Sequence, residues 1–442
     1  MMALTFRGGL HIDDHKSATN TVPIKKLEGC EIHTYPLQQH IGAPLEATVA
    51  VGDTVKVGQK IADTQAFVSA PVHSSVSGTV KAVEPRLHTS GAMVTAVVIE
   101  NDGKYEVCEK ISPKGDYKNY TPEQLVGFIR EAGIVGMGGA GFPTHVKLSP
   151  PKEKKITHVI VNGAECEPYL TSDHRKMLEN PDEVLLGLKT VMHIFGLKEG
   201  YVGIETNKPD AIESMKAEAA KSGDIHIVPL KTKYPQGAEK QLINAVSGKV
   251  VPAGGLPADV GCVVINVDTA VSIGNIFTTG MPLISRIVTV SGDCVAQPCN
   301  YEVLTGTPVS YVFDAAGGFI KEPRKVLAGG PMMGTALFSL DVPIIKTSSG
   351  ILALSKSTEN FDEDMVCIRC GKCVNLCPMR LMPLYINKYA RENNVEMAEK
   401  YNVMDCIECG VCSYLCPGKQ HPVQNIRLMK QIIAEKRRAR KE

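Results

Sequence analysis

Over the first hundred residues, apolar positions alternate with polar ones in short runs broken by turn signals, which predicts β-strands. The stretches Ala47 to Ile61 (ATVAVGDTVKVGQKI) and Ser69 to Val83 (SAPVHSSVSGTVKAV) read as two related β half-motifs. After Asn119 the period changes. Thr121 offers a cap, Pro122 an early helical position and Glu123 a first-turn acid, so EQLVGFIREAGI is predicted helical with Leu125, Ile129 and Ala132 on one face. Ile156 to Asn162 (ITHVIVN) predicts a buried strand. From near Ile284, SRIVTVSGDCVAQPCNYEVLTGTPVSYVFDAAGG alternates again, with a Gly-Asp turn and a short helical stretch, as a β-grasp unit would. A polar connector, Lys356 to Asp364, follows. Beyond Cys377, two helices are predicted, with Leu384, Ile386, Tyr389, Met397, Ala398 and Tyr401 packing inward. Asn425 to Glu442 is an amphipathic helix with Ile426, Met429, Ile432 and Ile433 on one side and a basic end. That helix reads as a solvated end or as a contact for an anionic membrane surface or a partner protein.

Composition narrows the classes. The 442 residues suit about three domains. With 48 basic against 47 acidic residues, nothing draws the chain to nucleic acid. The longest apolar run, near Cys262 to Val267, is far short of the ~20 residues of a membrane span, so membrane association is expected through a partner or a surface contact. Nothing from Met1 onward reads as a signal peptide.

The strongest chemistry lies near the C-terminus. Cysteines at 367, 370, 373 and 377, and at 406, 409, 412 and 416, each read C-x2-C-x2-C-x3-C-P. Three thiolates at every third position wrap one corner of a [4Fe-4S] cube, and the fourth reaches the other cube. The expected ligation is therefore crossed: Cys367, Cys370 and Cys373 with Cys416, and Cys406, Cys409 and Cys412 with Cys377. Paired zinc sites are the alternative, but zinc explains neither the third cysteine at the same step nor the C-P ending. Cys294 and Cys299, five apart in a turn-rich stretch, read as ordinary thiols, as does Cys166. His11, His15, His33, His40, His73 and His88 fit no compact metal motif and are expected to be surface or hydrogen-bonded histidines.

A second constellation lies mid-chain. Gly136, Gly138, Gly139 and Gly141 in GMGGAGFPTHVK allow close backbone approach, so amides can converge on an anion beside Lys147. The loop has neither Rossmann nor P-loop spacing, and taken by itself it fits a tight turn equally well. The strand at Ile156 delivers Asn162, Glu165 and Glu167 to its C-terminal end, the usual ligand edge of an α/β sheet. YPQGAEKQL (Tyr234 to Leu242) and VPAGGLPADVGCVVINVDT (Val251 to Thr269) follow.

Together these segments resemble the flavin-bearing, NADH-oxidising subunit of respiratory complex I, whose G-x-G-G-A-G-F-P-T, N-A-D-E-x-E-P, Y-x-x-G-E-E and N-V-E-T segments surround FMN in this order. The resemblance implies that Gly136, Gly138, Gly139 and Gly141 line noncovalent FMN and that Lys147 meets its phosphate. It further implies flavin contacts at Asn162, Glu165, Tyr234, Gly237 and Asn266, with Thr269 close by, and NAD(H) contacts at Phe142, Glu167 and Glu239. Met137, Ala164 and Ala238 depart from that family's arginine, aspartate and glutamate, which weakens the nucleotide reading more than the flavin one.

The two β half-motifs resemble biotinyl and lipoyl carrier domains, but the tip Asp63 to Val68 (DTQAFV) holds no lysine to modify, so a structural or docking role is expected. The β-grasp segment resembles the SLBB domain that follows the flavin domain in complex I. The whole order, with FRGGLHIDDHK at Phe6 to Lys16 and GGPMMG at Gly329 to Gly334, resembles the C subunits of the Rnf ion-translocating ferredoxin:NAD oxidoreductases. Their relatives in the sodium-pumping quinone reductases have the front modules without the clusters.

The expected fold is multidomain, α/β plus β: a barrel-sandwich hybrid (1–115), an FMN- and NAD(H)-binding α/β domain (116–283), a β-grasp SLBB-like domain (284–340), an α-helical dicluster ferredoxin domain (341–424) and a basic C-terminal helix (425–442). The resemblance implies a peripheral subunit on the cytoplasmic side of the cell membrane, partnered by integral membrane subunits, ferredoxin and a ferredoxin-handling iron-sulfur subunit. It implies electron transfer without a proton-transferring catalytic residue in this chain. The competing readings are a diaphorase-type subunit of a soluble hydrogenase or formate dehydrogenase, and an electron-wire scaffold without nucleotide binding.

Overall fold

A computed structural model describes residues 3–355 and 366–439. The connector expected at Lys356 to Asp364 and the last residues of the C-terminal helix lie outside that range.

The barrel-sandwich module has two small sheets: Ile32–Pro36, Met93–Asn101, Gly78–Leu87 and Thr54–Val55 in one, and Glu46–Ala47, Lys60–Asp63 and Val72–His73 in the other. Tyr35, Val55, Ile61, Val80, Val97 and Ile99 meet between them and exclude water. The tip that lacks a carrier lysine is docked. Arg130 of the neighbouring module holds Asp63 Oδ1 (3.1 Å) and the Thr64 carbonyl (2.9 Å), and the His145 ring nitrogen lies 3.0 Å from the Phe67 carbonyl. His33, His40 and His73 are buried rather than on the surface, because this module is walled by its neighbours.

The central module holds a parallel sheet in the order Ile225–Leu230, Gly200–Glu205, His158–Gly163, Cys262–Asn266. Val159 and Val161 face one apolar layer and Ile160 the other, as expected of a strand covered on both sides. The helices Pro181–Ile194 and Val267–Thr278 close one face, and Glu239–Ser247 packs on the other. The helix Pro122–Glu131 carries the capping box its sequence announces: Thr121 and Gln124 satisfy each other's backbone amides, and Leu125 and Ile129 are buried.

The β-grasp sheet runs further than its segment implied. Its order is Lys25–Lys26, Cys299–Leu304, Ser285–Ser291, Gly350–Leu354, Lys325–Ala328, Thr335–Leu337, with the helix Val309–Ala315 packed beside it. A strand beyond residue 340 is thus central to it, and one from the N-terminal segment forms an edge. The C-terminal helix begins at Pro422, and its Ile426, Met429 and Ile433 join Leu381, Ile386, Ala390, Ala398 and Val403 in a small core. That apolar face is consumed within the chain, which leaves the basic end as the exposed feature.

Candidate functional site

The strands His158–Gly163 and Cys262–Asn266 are neighbours, yet the two strands between them in sequence are added on the far side of the first. Their carboxyl ends therefore form a topological switch point, where an open α/β sheet leaves a crevice. Asn162 and Asn266 sit in paired register there. Asn162 donates to the Gly237 carbonyl (2.8 Å) and accepts from the Ala164 amide (3.2 Å). Asn266 caps its helix by accepting from the Asp268 amide (2.9 Å) and donates to Asp173 Oδ2 (2.7 Å).

The glycine loop arches over these ends. The Gly136 amide donates to the Phe142 carbonyl (2.9 Å), and Thr269 ties the loop by accepting from the Met137 amide (3.1 Å) and donating to the Val135 carbonyl (3.2 Å). A Cβ on Gly138 would lie 3.0 Å from Asn266 Nδ2, whereas one on Gly139 would meet nothing within 4 Å. Gly141 has φ +71°, and a methyl there would strike Thr347 at 2.6 Å. Residues 138–140 are exposed. Met137, in place of the resembled arginine, is buried, and the guanidinium of Arg286 reaches its sulfur while pairing with Asp268.

The acids part company. Glu165, at φ +48°, turns its carboxylate onto the amides of Asp173 (2.7 Å) and His174 (3.3 Å) at the start of the helix Ser172–Glu179. Buried Lys16 lies 3.8 Å from it and donates to the carbonyls of Glu167 (3.0 Å) and Leu170. Asp173 is held above the usual carboxylate range by burial, then by the charges of Glu165 and Asp268. Glu167 points away to the GGPMMG loop, where its Oε2 accepts from the Met332 amide (3.1 Å). Its Oε1 lies 3.4 Å from the Tyr234 hydroxyl. Burial raises its carboxyl to about 7, with the Met332 and Met333 amides opposing. Lys147 and Glu239 are brought together at 2.9 Å, and Lys147 also donates to the Val264 carbonyl (2.9 Å). Cys166 is an inert thiol here: burial pushes it well up, and it accepts from the Gly237 amide at 3.3 Å.

An FMN phosphate and ring fit this donor set. The exposed loop 138–140, Asn162, Asn266, Lys147 and the N-terminus of the helix Glu239–Ser247, which no side chain caps, lie together at the strand ends. Sequence reasoning missed Lys16, Asp173 and Arg286. Asp173 lies a few residues beyond Glu167 at the start of the helix Ser172–Glu179, while Lys16 and Arg286 come from other modules with no local signal.

The two cysteine runs are conformational copies. Arg369 and Glu408, Gly371 and Gly410, and Arg380 and Lys419 all take left-handed φ at equivalent places, which curls each run around its centre. Cys377 lines one cavity with Cys406, Cys409 and Cys412, among Pro378, Leu381 and Ile426. The Leu381 amide donates to Cys377 Sγ (3.4 Å) and the Glu408 amide to Cys406 Sγ (3.3 Å). Cys373 in turn has Cys416, Cys367 and Cys370 as its electrostatic neighbours. Thiols spread around a common apolar cavity, with amides aimed at sulfur, suit a cube-sized cluster. The second run touches the flavin-type crevice: the Tyr234 hydroxyl donates to the Cys409 carbonyl at 2.7 Å, and Leu10, Tyr234, Cys409 and Val411 pack together. In the first run, Cys367 and Cys370 are exposed.

Four protein families match successive parts of the chain. The RnfC barrel sandwich hybrid domain matches residues 4–104, the Nuo51 FMN-binding domain 129–275, the SLBB domain 287–336 and the 4Fe-4S dicluster domain 359–417. An NAD+-reducing [NiFe]-hydrogenase chain in the H2-reduced state shares the fold, with a TM-score of 0.50 at 18% identity over 71% of this chain and 63% of that one. The C subunit of the proton-translocating ferredoxin:NAD(+) oxidoreductase complex of Clostridium ljungdahlii is 49% identical over 97% of this chain and 94% of its own length. The C subunit of the Na(+)-translocating complex of Acetobacterium woodii is 47% identical over 98% of each. With such identity across nearly its whole length, the chain belongs to the family of Rnf complex C subunits.

Proposed function

We propose that this chain is the peripheral electron-transfer subunit of a membrane-bound, ion-translocating ferredoxin:NAD+ oxidoreductase. The observation that carries the reading is the direct contact between the second cysteine run and the switch-point crevice through Tyr234. Bound there, FMN would supply the conversion between hydride exchange with NAD(H) and single-electron passage through two [4Fe-4S] clusters. The chain's own residues hold these groups. The amides of residues 138–140, the start of the helix Glu239–Ser247 and Lys147 would meet the flavin phosphate, and Asn162 and Asn266 would line the site. Lys147, paired with Glu239 at 2.9 Å, would turn to the phosphate and leave that partly exposed carboxylate free for the nucleotide. Glu165, Thr269 and Gly237 act behind this surface by fixing the strand ends and the loop. Phe142, half-buried at the loop's return, would stack on the nucleotide ring.

Cys406, Cys409, Cys412 and Cys377 hold the cluster beside the flavin. Cys367, Cys370, Cys373 and Cys416 hold the outer one, whose exposed Cys367 and Cys370 face a ferredoxin-handling partner. No helix among the described residues is long and apolar enough to cross a membrane, so the ion step belongs to integral membrane subunits that anchor this one on the cytoplasmic side. Anaerobic purification followed by iron, sulfide and flavin analysis tests the assignment, with about eight irons and one noncovalent FMN expected. Adding NADH to the purified chain should bleach the flavin; no bleaching and no NAD(H) binding would leave a scaffold. Unchanged flavin content in both Lys147→Ala and Glu165→Ala would sink the pocket assignment.

A further inference from the structure

Six segments that are remote in sequence meet at one small junction. The Tyr234 ring is buried, and its hydroxyl donates to the Cys409 carbonyl (2.7 Å). Its backbone pairs in both directions with Leu10 (2.8 Å each), while the adjacent Gly9 amide donates to the Leu376 carbonyl (2.8 Å), next to Cys377. Glu167 approaches the same hydroxyl at 3.4 Å and is itself clamped by the Met332 amide. Gly330 lies so close over Glu167 that any Cβ there would come within 2.3 Å of its Oε2, and a Cβ on Gly410 would come within 2.8 Å of the Met332 carbonyl. The GGPMMG loop thus packs against the acid on one side and the second cysteine run on the other. The crevice reading takes from this junction only that the two sites touch, and Glu167, committed to such bonds, is poorly placed to receive a nucleotide.

We propose that Tyr234 is a positioning residue for the cluster held by the second cysteine run, and that Glu167 and the GGPMMG loop hold its hydroxyl on the Cys409 carbonyl. The inference rests on the cluster assignment above. A hydroxyl hydrogen donated to the carbonyl of a ligand residue draws electron density along that peptide and opposes the negative charge gained on reduction. It also leaves the carbonyl no slack to rotate inside a dry junction. Glu167 acts one step behind: with Oε1 protonated it donates to the phenol oxygen, as the amide of a glutamine would, and leaves the hydroxyl hydrogen to the Cys409 carbonyl. The outer cluster has no such contact from Tyr234 and serves as an internal control.

The test uses the full chain, purified anaerobically with both clusters and flavin, and follows each cluster by potentiometric EPR. Tyr234→Phe keeps the ring and removes only the donor. The expected result is that the flavin-side cluster becomes harder to reduce, with about a threefold change in its reduced-to-oxidised ratio at fixed poise, while the outer cluster is unmoved. Glu167→Ala should shift the same cluster in the same direction, and Glu167→Gln, which still bridges the Met332 amide and the hydroxyl, should restore it. Unmoved potentials in both Tyr234→Phe and Glu167→Ala, or equal shifts of both clusters, would overturn the proposal. Iron and flavin content separate this failure from that of the functional reading: full cofactors with unmoved potentials refute the Tyr234 role alone, whereas missing cofactors in the unaltered chain refute the reading beneath it.

Discussion

Gly139→Ala asks whether the loop tip faces the flavin. The backbone there is outside the left-handed region, and an added Cβ meets no protein atom within 4 Å. By the protein's own energetics the change should therefore be neutral or stabilise by about 0.4–1 kcal/mol through a less flexible unfolded chain. The ligand would experience it differently. A methyl projecting about 1.5 Å from the backbone would push a phosphate or ring off the converging amides, and each charge-assisted hydrogen bond lost costs about 1.5–3 kcal/mol. One such bond corresponds to roughly a tenfold or greater loss of FMN affinity. Titration of the flavin-stripped chain with FMN, read by flavin fluorescence, gives the affinity, and thermal unfolding by circular dichroism gives the stability. Gly141→Ala is the contrasting control: its φ of +71° and the Thr347 contact should cost stability first, about 1–2 kcal/mol from the conformation alone. If Gly139→Ala binds FMN as tightly as the unaltered chain, the exposed amides at 138–140 do not face the cofactor and the crevice needs another occupant.

Crossed ligation gives a second expectation: Cys377→Ser should damage the EPR signal of the cluster on the second run, and Cys416→Ser that of the first; the opposite pattern would show that each run holds its own cube. Packing gives a third: a methyl on Gly187 would lie 1.8 Å from the Ala270 carbonyl, forcing the helices Pro181–Ile194 and Val267–Thr278 apart. Gly187→Ala should destabilise the central module by about 3 kcal/mol, seen as a lower melting temperature, and an unchanged melt would contradict that packing. A fourth concerns pH. Glu167 binds its proton more tightly folded than unfolded, so its contribution is full below its unfolded value and is lost as pH rises through about 7. Stability of the unaltered chain relative to Glu167→Gln should therefore fall by about 3 kcal/mol between roughly pH 4.5 and 7.5, measured by denaturant unfolding; parallel pH profiles would show an unperturbed acid.

The parts of the site carried by local pattern were legible. Strand ends at Asn162 and Asn266, glycines at 138 and 139, and cysteines at every third position each encode their geometry within a few residues. What the sequence left dark arrives from afar. Lys16 braces Glu165 and the segment after it across some 150 residues, and Arg286 comes from the β-grasp module to neutralise Asp268. Periodicity shows that such residues exist but cannot show which charge they answer. The same blindness applies to Glu167, for which the resemblance implied a nucleotide contact. Its neighbours in sequence announce a ligand edge, yet a loop 165 residues away occupies its Oε2. Domain edges were blurred for a related reason. Lys25–Lys26 and Gly350–Leu354 complete the β-grasp sheet from outside its own segment, because hydrogen bonding to an open strand edge needs no sequence signature beyond extended backbone.

The N-terminal strip from Leu4 to Lys16 has a consequence for how the chain is made. It pairs with residues 229–234, touches Leu376, and seats Lys16 behind Glu165, so this strip cannot find its place until segments far behind it in sequence have been made. Its partners span most of the translation time, and the junction between flavin crevice and cysteine runs cannot close until the final module has emerged. Clusters delivered before that junction closes would be loaded into a half-walled site.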